Sequence, residues 1–84
     1  MKILNKLQGK VKIGGIKYKI VLRKMEDSGE IDRSTNTISI DKEMAYEQQM
    51  VTLLHEMIHA LNGELDEKTV DGLAVGLHQI IMDN

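Results

Sequence analysis

Two histidines and a glutamate stand at a spacing that could bind a metal ion and use it. His55, Glu56 and His59 form the pattern H-E-x-x-H within a run of apolar residues. On a helix, His55 and His59 lie one turn apart and face the same way, so both imidazoles can bind one ion, most often zinc. Glu56 lies beside them, where its carboxylate can accept a proton from metal-activated water. The pattern therefore predicts a catalytic centre with one Zn²⁺.

A catalytic zinc site needs a third protein ligand, and the acids that follow the motif are the candidates. Glu67 is favoured because it comes early in a predicted second helix, with Asp71 one turn further along the same face. An acid behind a zinc-bound histidine commonly accepts its second N–H and fixes the ring, which is the role predicted for Asp71. Asp71 stays open as the third ligand in place of Glu67. The remaining candidates are Glu64 and Asp66.

Two helices must position these residues. The first is predicted over about residues 43–62, with Asp41 as its N-cap or in the turn before it. Its expected core residues are Met50, Val51, Leu54, Met57, Ile58 and Leu61. The second is predicted over about residues 65–82. Its expected inward residues are Val70, Leu73, Leu77 and Ile80 or Ile81.

A small sheet is predicted over about residues 10–40. Alternating residues on both sides of Gly14-Gly15 predict a tight hairpin. Its expected buried pairs are Ile13 with Ile16 and Val11 with Tyr18. Further short strands are predicted at 30–32 and 37–40, and a helical turn at 2–8. The expected fold is α+β, with three or four strands packed against two main helices in one domain spanning residues 1–84.

The charges are unevenly distributed along the chain. Residues 1–24 carry eight Lys or Arg and no acid, whereas residues 25–84 carry three Lys or Arg and thirteen acids. The hairpin register places four lysines together on the face opposite the expected buried pairs, where an acidic partner could bind. No aromatic residue is expected on their face, because Tyr18 belongs to the buried face, so nucleic acid is not expected as a partner. These lysines are Lys10, Lys12, Lys17 and Lys19.

The composition limits how so short a chain can be stabilised. There is no cysteine among the 84 residues, which excludes disulfides and thiolate zinc sites. A bound metal is then the natural stabiliser for a small core. No apolar run is long enough to span a membrane, and residues 1–7 are too polar for a signal peptide. A cytoplasmic location is expected.

The motif and its surroundings resemble a known group of zinc peptidases. H-E-x-x-H followed by Glu67 and Asp71 is similar to the gluzincin arrangement, in which a glutamate on a following helix is the third ligand. From about residue 30 to residue 84, the chain resembles the small phage and mobile-element metallopeptidases of the ImmA/IrrE type. The shared features are a strand like Thr37–Asp41, the motif helix, and an acid-bearing helix that ends in Gly76–Ile81.

This resemblance implies a zincin-like fold and a zinc-dependent endopeptidase with Glu56 as general base, in a bacterial or phage setting. It also implies a protein or peptide substrate bound as an added strand along Thr37–Ile40. Larger gluzincins supply a His or Tyr that donates to the oxyanion, and the weak candidates here are Tyr46 and His78. The alternative function is a zinc-stabilised regulatory or protein-binding module with little or no hydrolytic activity.

Overall fold

The structure is a computed structural model that describes residues 9–84. The α+β class, with one small sheet and two main helices, is confirmed. The helical turn expected at residues 2–8 lies outside the described residues. Within residues 9–84, no helix has the length and apolar character that crossing a membrane requires. The elements in chain order are β1 (Lys10–Ile13), β2 (Ile16–Arg23), β3 (Gly29–Asp32), β4 (Thr37–Asp41), α1 (Tyr46–Leu61) and α2 (Glu67–Asp83).

The first two strands form the predicted hairpin. Gly14 and Gly15 have φ angles of +56° and +83°. A two-residue hairpin turn favours such positive values, and glycine adopts them without steric cost. Ile16, beside the turn, is nevertheless 47% exposed. The register is the expected one, and its apolar pairs are Val11 with Tyr18 and Ile13 with Ile16.

The order of the strands differs from the arrangement expected for peptide binding. The sheet order is β1-β2-β4-β3, which leaves β1 and β3 at the edges. β4 pairs in parallel with β2 and antiparallel with β3, so both of its sides are hydrogen-bonded. The expectation that Thr37–Ile40 is a free edge for a peptide is therefore wrong. The reason is that the second strand of the β3–β4 hairpin inserts beside β2 and leaves β3 outermost.

Helix α1 covers one face of the sheet and forms the main core with it. Ile38, Ile40 and Leu53 have no exposed surface, and Tyr18 is 2% exposed. Burial of Leu53 was not predicted, whereas Leu61, predicted to be in the core, is 66% exposed. Leu61 is the last residue of α1, so it extends past the sheet.

Helix α2 packs against α1 rather than against the sheet. Val70 and Ala74 of α2 are fully buried, against Leu54 and Ile58 of α1. A helix with a single large neighbour buries only a narrow stripe of its surface. Four other residues that were predicted to face inward are therefore 39–54% exposed, namely Leu73, Leu77, Ile80 and Ile81.

The lysines of the hairpin lie on one face, as predicted. Lys10 is directly opposite Lys19, and Lys12 is directly opposite Lys17. All four side chains are exposed, on the face opposite Ile13 and the helices. Like charges directly opposite each other destabilise a strand pair. The acidic partner suggested for this face stays a prediction.

Replacing Lys12 by glutamate should raise the free energy of unfolding by about 0.5 kcal/mol, because repulsion from Lys17 becomes attraction. Denaturant titration at low salt measures the gain, and about 1 M NaCl should remove most of it. Lys42→Glu makes the same change of charge at an exposed lysine outside the sheet and should give no gain. Equal stabilisation by both variants would refute the cross-strand explanation.

Candidate metal centre

Helix α1 presents His55 and His59 on one side, one turn apart. Their ring centroids are 4.7 Å apart, and their Nε2 atoms are 3.1 Å apart. The His55 and His59 side chains are mostly buried, at 16% and 15% exposed. The two Nε2 atoms therefore point at one location beside the helix.

Glu67, the first residue of α2, completes this cluster. Its Oε2 lies 3.1 Å from Nε2 of His55, and its Oε1 lies 2.7 Å from Nε2 of His59. Asp66 fixes the start of α2, because its side chain accepts the backbone N–H of Thr69 at 2.7 Å. That hydrogen bond lowers the pKa of Asp66. Asp66 thus acts as the helix N-cap and falls outside the metal-binding cluster.

Asp71 contacts His55 on the other side of the ring. Its Oδ1 lies 2.8 Å from Nδ1 of His55. Because an ionised carboxylate can only accept, we assign the proton of neutral His55 to Nδ1, which leaves a lone pair on Nε2. The geometry therefore separates the two acids: Glu67 faces the Nε2 atoms, and Asp71 orients one ring from behind. Glu64, the other acid considered, does not line the cleft beside the cluster.

The cluster contains more acceptors than donors. The carboxylate of Glu67 has no proton to donate, and Nε2 of neutral His55 has only its lone pair. These atoms face each other at 3.1 Å, so a proton or a metal ion is needed between them. Two ligand atoms on a tetrahedral zinc lie about 3.3 Å apart, close to the spacings found here. His55, His59 and Glu67 could hold a metal ion, since their ligand atoms all lie within 4.8 Å of one another.

Glu56 lies beside the cluster and lines the same cleft. It is 7% exposed, and its side chain forms no hydrogen bond within the described part of the chain. Burial raises the pKa of its carboxyl, while the charges of His55 and His59 act in the opposite direction. Its side chain points about 100° around α1 from that of His55, which removes it from the ligand cluster.

The cleft has a volume of about 580 Å³. Its walls are the histidine side of α1, the edge strand β3 with its flanking turns, and the start of α2. Gly29 allows β3 to approach α1 closely. A Cβ atom at this position would lie 2.6 Å from Cγ2 of Thr52 and 3.0 Å from the carbonyl oxygen of Ser39. A side chain there would require the Thr52 side chain or the backbone of β3 to shift.

Neither weak candidate for an oxyanion donor lines the cleft. Tyr46 precedes His55 by nine residues, which places it about 180° away around α1. His78 lies seven residues beyond Asp71, about 10 Å further along α2. Its Nε2 is buried and has no hydrogen-bond partner among residues 9–84. Both residues are therefore too far from the ligand cluster for the suggested role.

Arg33 is a residue of the cleft that sequence analysis missed. It follows β3, and its guanidinium donates a hydrogen bond of 2.7 Å to the carbonyl oxygen of His59. In the sequence it belongs to a polar turn, Arg33–Asn36, and carries no signal of a role. It reaches the metal centre only because β3 lies at the edge of the sheet beside α1.

If the cluster holds a metal ion, each chain should bind one ion. Glu67→Ala should abolish stoichiometric binding because it removes a ligand, whereas Asp71→Asn should keep the stoichiometry and lower the affinity about 10–100-fold. Metal analysis and competition with a chromophoric chelator measure the two effects. Glu64→Ala removes an exposed acid from the same connection and should bind like the wild type. If Asp71→Asn lost the ion and Glu67→Ala kept it, the assignment would be reversed.

In the metal-free protein, Glu56→Gln should increase stability at neutral pH. Burial raises the pKa of Glu56 above its ordinary value of 4.5, so folding favours the protonated carboxyl. The wild type should therefore lose stability relative to the variant as pH rises from 4.5, the ordinary pKa that Glu56 has in the unfolded chain, to the raised pKa of the folded state. At pH values above the folded-state pKa, the difference in stability between wild type and variant should stay constant. Thermal unfolding in EDTA at about pH 4 and about pH 7 tests this, and an equal difference at both pH values would contradict it.

The comparisons with known proteins identify no relative. No family model matches the chain, and no curated protein or solved structure is significantly similar to it. Assignment of a function therefore depends on the geometry of the metal centre and its cleft.

Proposed function

We propose that this chain is a zinc-dependent endopeptidase of the gluzincin type. The observation that carries the proposal is the position of Glu56. Its buried carboxylate adjoins a three-residue cluster able to hold a metal ion, and it lines the same cleft as that cluster. A purely structural zinc site would have four protein ligands and no need of a free carboxylate beside them.

The donor set supports zinc as the resident metal. Two imidazoles and one carboxylate, from His55, His59 and Glu67, are a ligand set found in catalytic zinc sites of peptidases. It leaves the fourth position to water or substrate. Asp71 holds the His55 ring in the orientation that such a site needs. When bound, zinc would supply Lewis acidity, which lowers the pKa of water toward neutrality and polarises the scissile carbonyl.

In this mechanism Glu56 moves the proton. It accepts a proton from the attacking water and then donates it to the leaving amine. Burial raises the pKa of its carboxyl, which makes it a stronger base than an exposed glutamate and still leaves it ionised above that pKa. Because Glu56 has no partner in residues 9–84, it can exchange this proton without first breaking a hydrogen bond.

The substrate would bind along β3 rather than along β4. Strand β3 is the sheet edge beside the cleft, and Gly29, Glu30 and Ile31 line the cleft. An edge strand offers unpaired backbone N–H and C=O groups to an extended peptide, which can add as a further strand. A peptide added in this way would lie between β3 and the ligands of α1.

A second candidate function is a zinc-stabilised protein-binding module with little or no hydrolytic activity. One observation favours it. Apart from the ligands His55 and His59, no His or Tyr within residues 9–84 lines the cleft to donate to an oxyanion. The two candidates share the metal and the peptide groove, so only a test of Glu56 separates them.

Glu56→Gln should keep one zinc per chain and reduce the turnover number for peptide hydrolysis by at least about 10²-fold, because it removes the base. Cleavage of a denatured protein or a mixed peptide library, followed by mass spectrometry, measures the loss. Glu47→Gln, at an exposed acid on α1 outside the cleft, is the matched control and should retain activity. If the zinc-loaded wild type cleaves no peptide bond that the Glu56→Gln variant leaves intact, the result would support the binding module instead.

A further inference from the structure

Arg33 carries a positive charge that no acid of the described chain neutralises. Its one hydrogen bond there is to a neutral acceptor, the carbonyl oxygen of His59. No carboxylate within residues 9–84 forms an ion pair with it. A guanidinium has five N–H donors, so most of them remain free for another partner.

One hydrogen bond and the space beside Gly63 position this exposed guanidinium next to the end of α1. The bond is accepted by the carbonyl oxygen of His59, the second histidine of the cluster, in the last turn of α1. Gly63 lies beside the same nitrogen, and a Cβ atom at that position would come within 3.1 Å of the Arg33 Nη2 atom. The absence of a side chain at Gly63 therefore leaves room for the guanidinium. Arg33 is thus positioned before any ligand arrives, which lowers the entropy lost on binding.

The charges along the cleft make Arg33 distinctive. It is the sole Lys or Arg among the described residues that line the cleft. Several acids of the cleft already have partners: Glu67 and Asp71 contact the histidines, and Glu30 pairs with Arg23. The end of the cleft near His59 therefore presents a free cation.

We infer that Arg33 is a substrate-binding residue that holds a carboxylate of the peptide in the cleft. A guanidinium matches a carboxylate with two parallel N–H···O bonds, an arrangement that a backbone carbonyl cannot provide. The carboxylate is either an acidic side chain or the C-terminus of the peptide. The inference rests on the proposed function for the identity of the ligand as a peptide, and it adds the chemical feature by which peptides are selected.

The test measures binding, so it does not require hydrolysis. The zinc-loaded Glu56→Gln protein is titrated against fluorescein-labelled heptapeptides of alanine. Each peptide carries one Glu, which is placed at a different position in each member of the series. Each peptide has a matched form with Gln, and each form has a free or an amidated C-terminus. Fluorescence anisotropy gives the affinities. A preference for Glu over Gln identifies a side-chain carboxylate, and a preference for the free acid over the amide identifies the C-terminus.

We expect Arg33→Gln, added to the Glu56 variant, to weaken binding of the preferred carboxylate peptide about 10–100-fold. Binding of its uncharged counterpart should be unchanged. Arg33→Lys keeps the positive charge and a donor for the His59 carbonyl oxygen. It should bind the carboxylate peptide more tightly than Arg33→Gln but more weakly than the parent, because an ammonium group cannot form two parallel hydrogen bonds to a carboxylate. Lys68→Gln is the control, because it removes a positive charge next to Glu67 in the sequence from a side chain that does not line the cleft. It should leave the preference for the carboxylate peptide unchanged.

Equal losses for charged and uncharged peptides would show that Arg33 acts only by supporting the end of α1, and would overturn the inference. So would a Lys68 variant with the same effect, or the absence of any carboxylate preference in the parent protein. Zinc content and the melting temperature verify that each variant is folded. If the preference depends on Arg33 while the wild type cleaves no peptide, the inference stands and the proposed peptidase activity fails.

Discussion

The structure depends on one local constraint: two imidazole nitrogens and a carboxylate from two helices meet at a point where a proton or a metal ion is needed between them. Nε2 of His55, Nε2 of His59 and the carboxylate of Glu67 come within hydrogen-bonding distance of one another. A metal ion there would join the end of α1 to the start of α2. That connection matters because Val70 and Ala74 are the only residues of α2 that are buried, so packing alone holds this helix weakly. In a chain without cysteine, binding of a metal ion there would be coupled to the position of α2.

The parts of the fold that depend on nearby residues could be predicted. The Gly14-Gly15 hairpin and its register follow from strand alternation, and Glu67 with Asp71 follows from helical spacing. The wrong expectations involve pairing between distant segments. No local pattern indicates that β4 inserts between β2 and β3, so the edge strand was misplaced. Arg33 was missed for the same reason, because its proximity to His59 depends on where β3 lies.

The burial of α2 shows a different limit. The apolar spacing of Leu73, Leu77 and Ile80 correctly indicates a helix, yet those side chains are 40–54% exposed. Periodicity identifies the face of a helix that could be covered, but the number of neighbouring elements decides how much of it is covered. The same reasoning applies at Leu61, which continues the apolar pattern of α1 past the end of the sheet.

Gly29 supplies no functional group, yet it determines the width of the opening in which peptide and metal would meet. The strand at the rim is close to the helix because a single hydrogen atom occupies the place of a side chain, opposite Thr52. To make room for a methyl group there, the Thr52 side chain would have to rotate or β3 would have to move away from α1. Peptide backbone held by that rim would move away from the ligands with it. The alignment of a bound peptide with a metal ion would therefore be a property of the scaffold, and substitution of this glycine would alter it while His55, His59 and Glu67 stay in place.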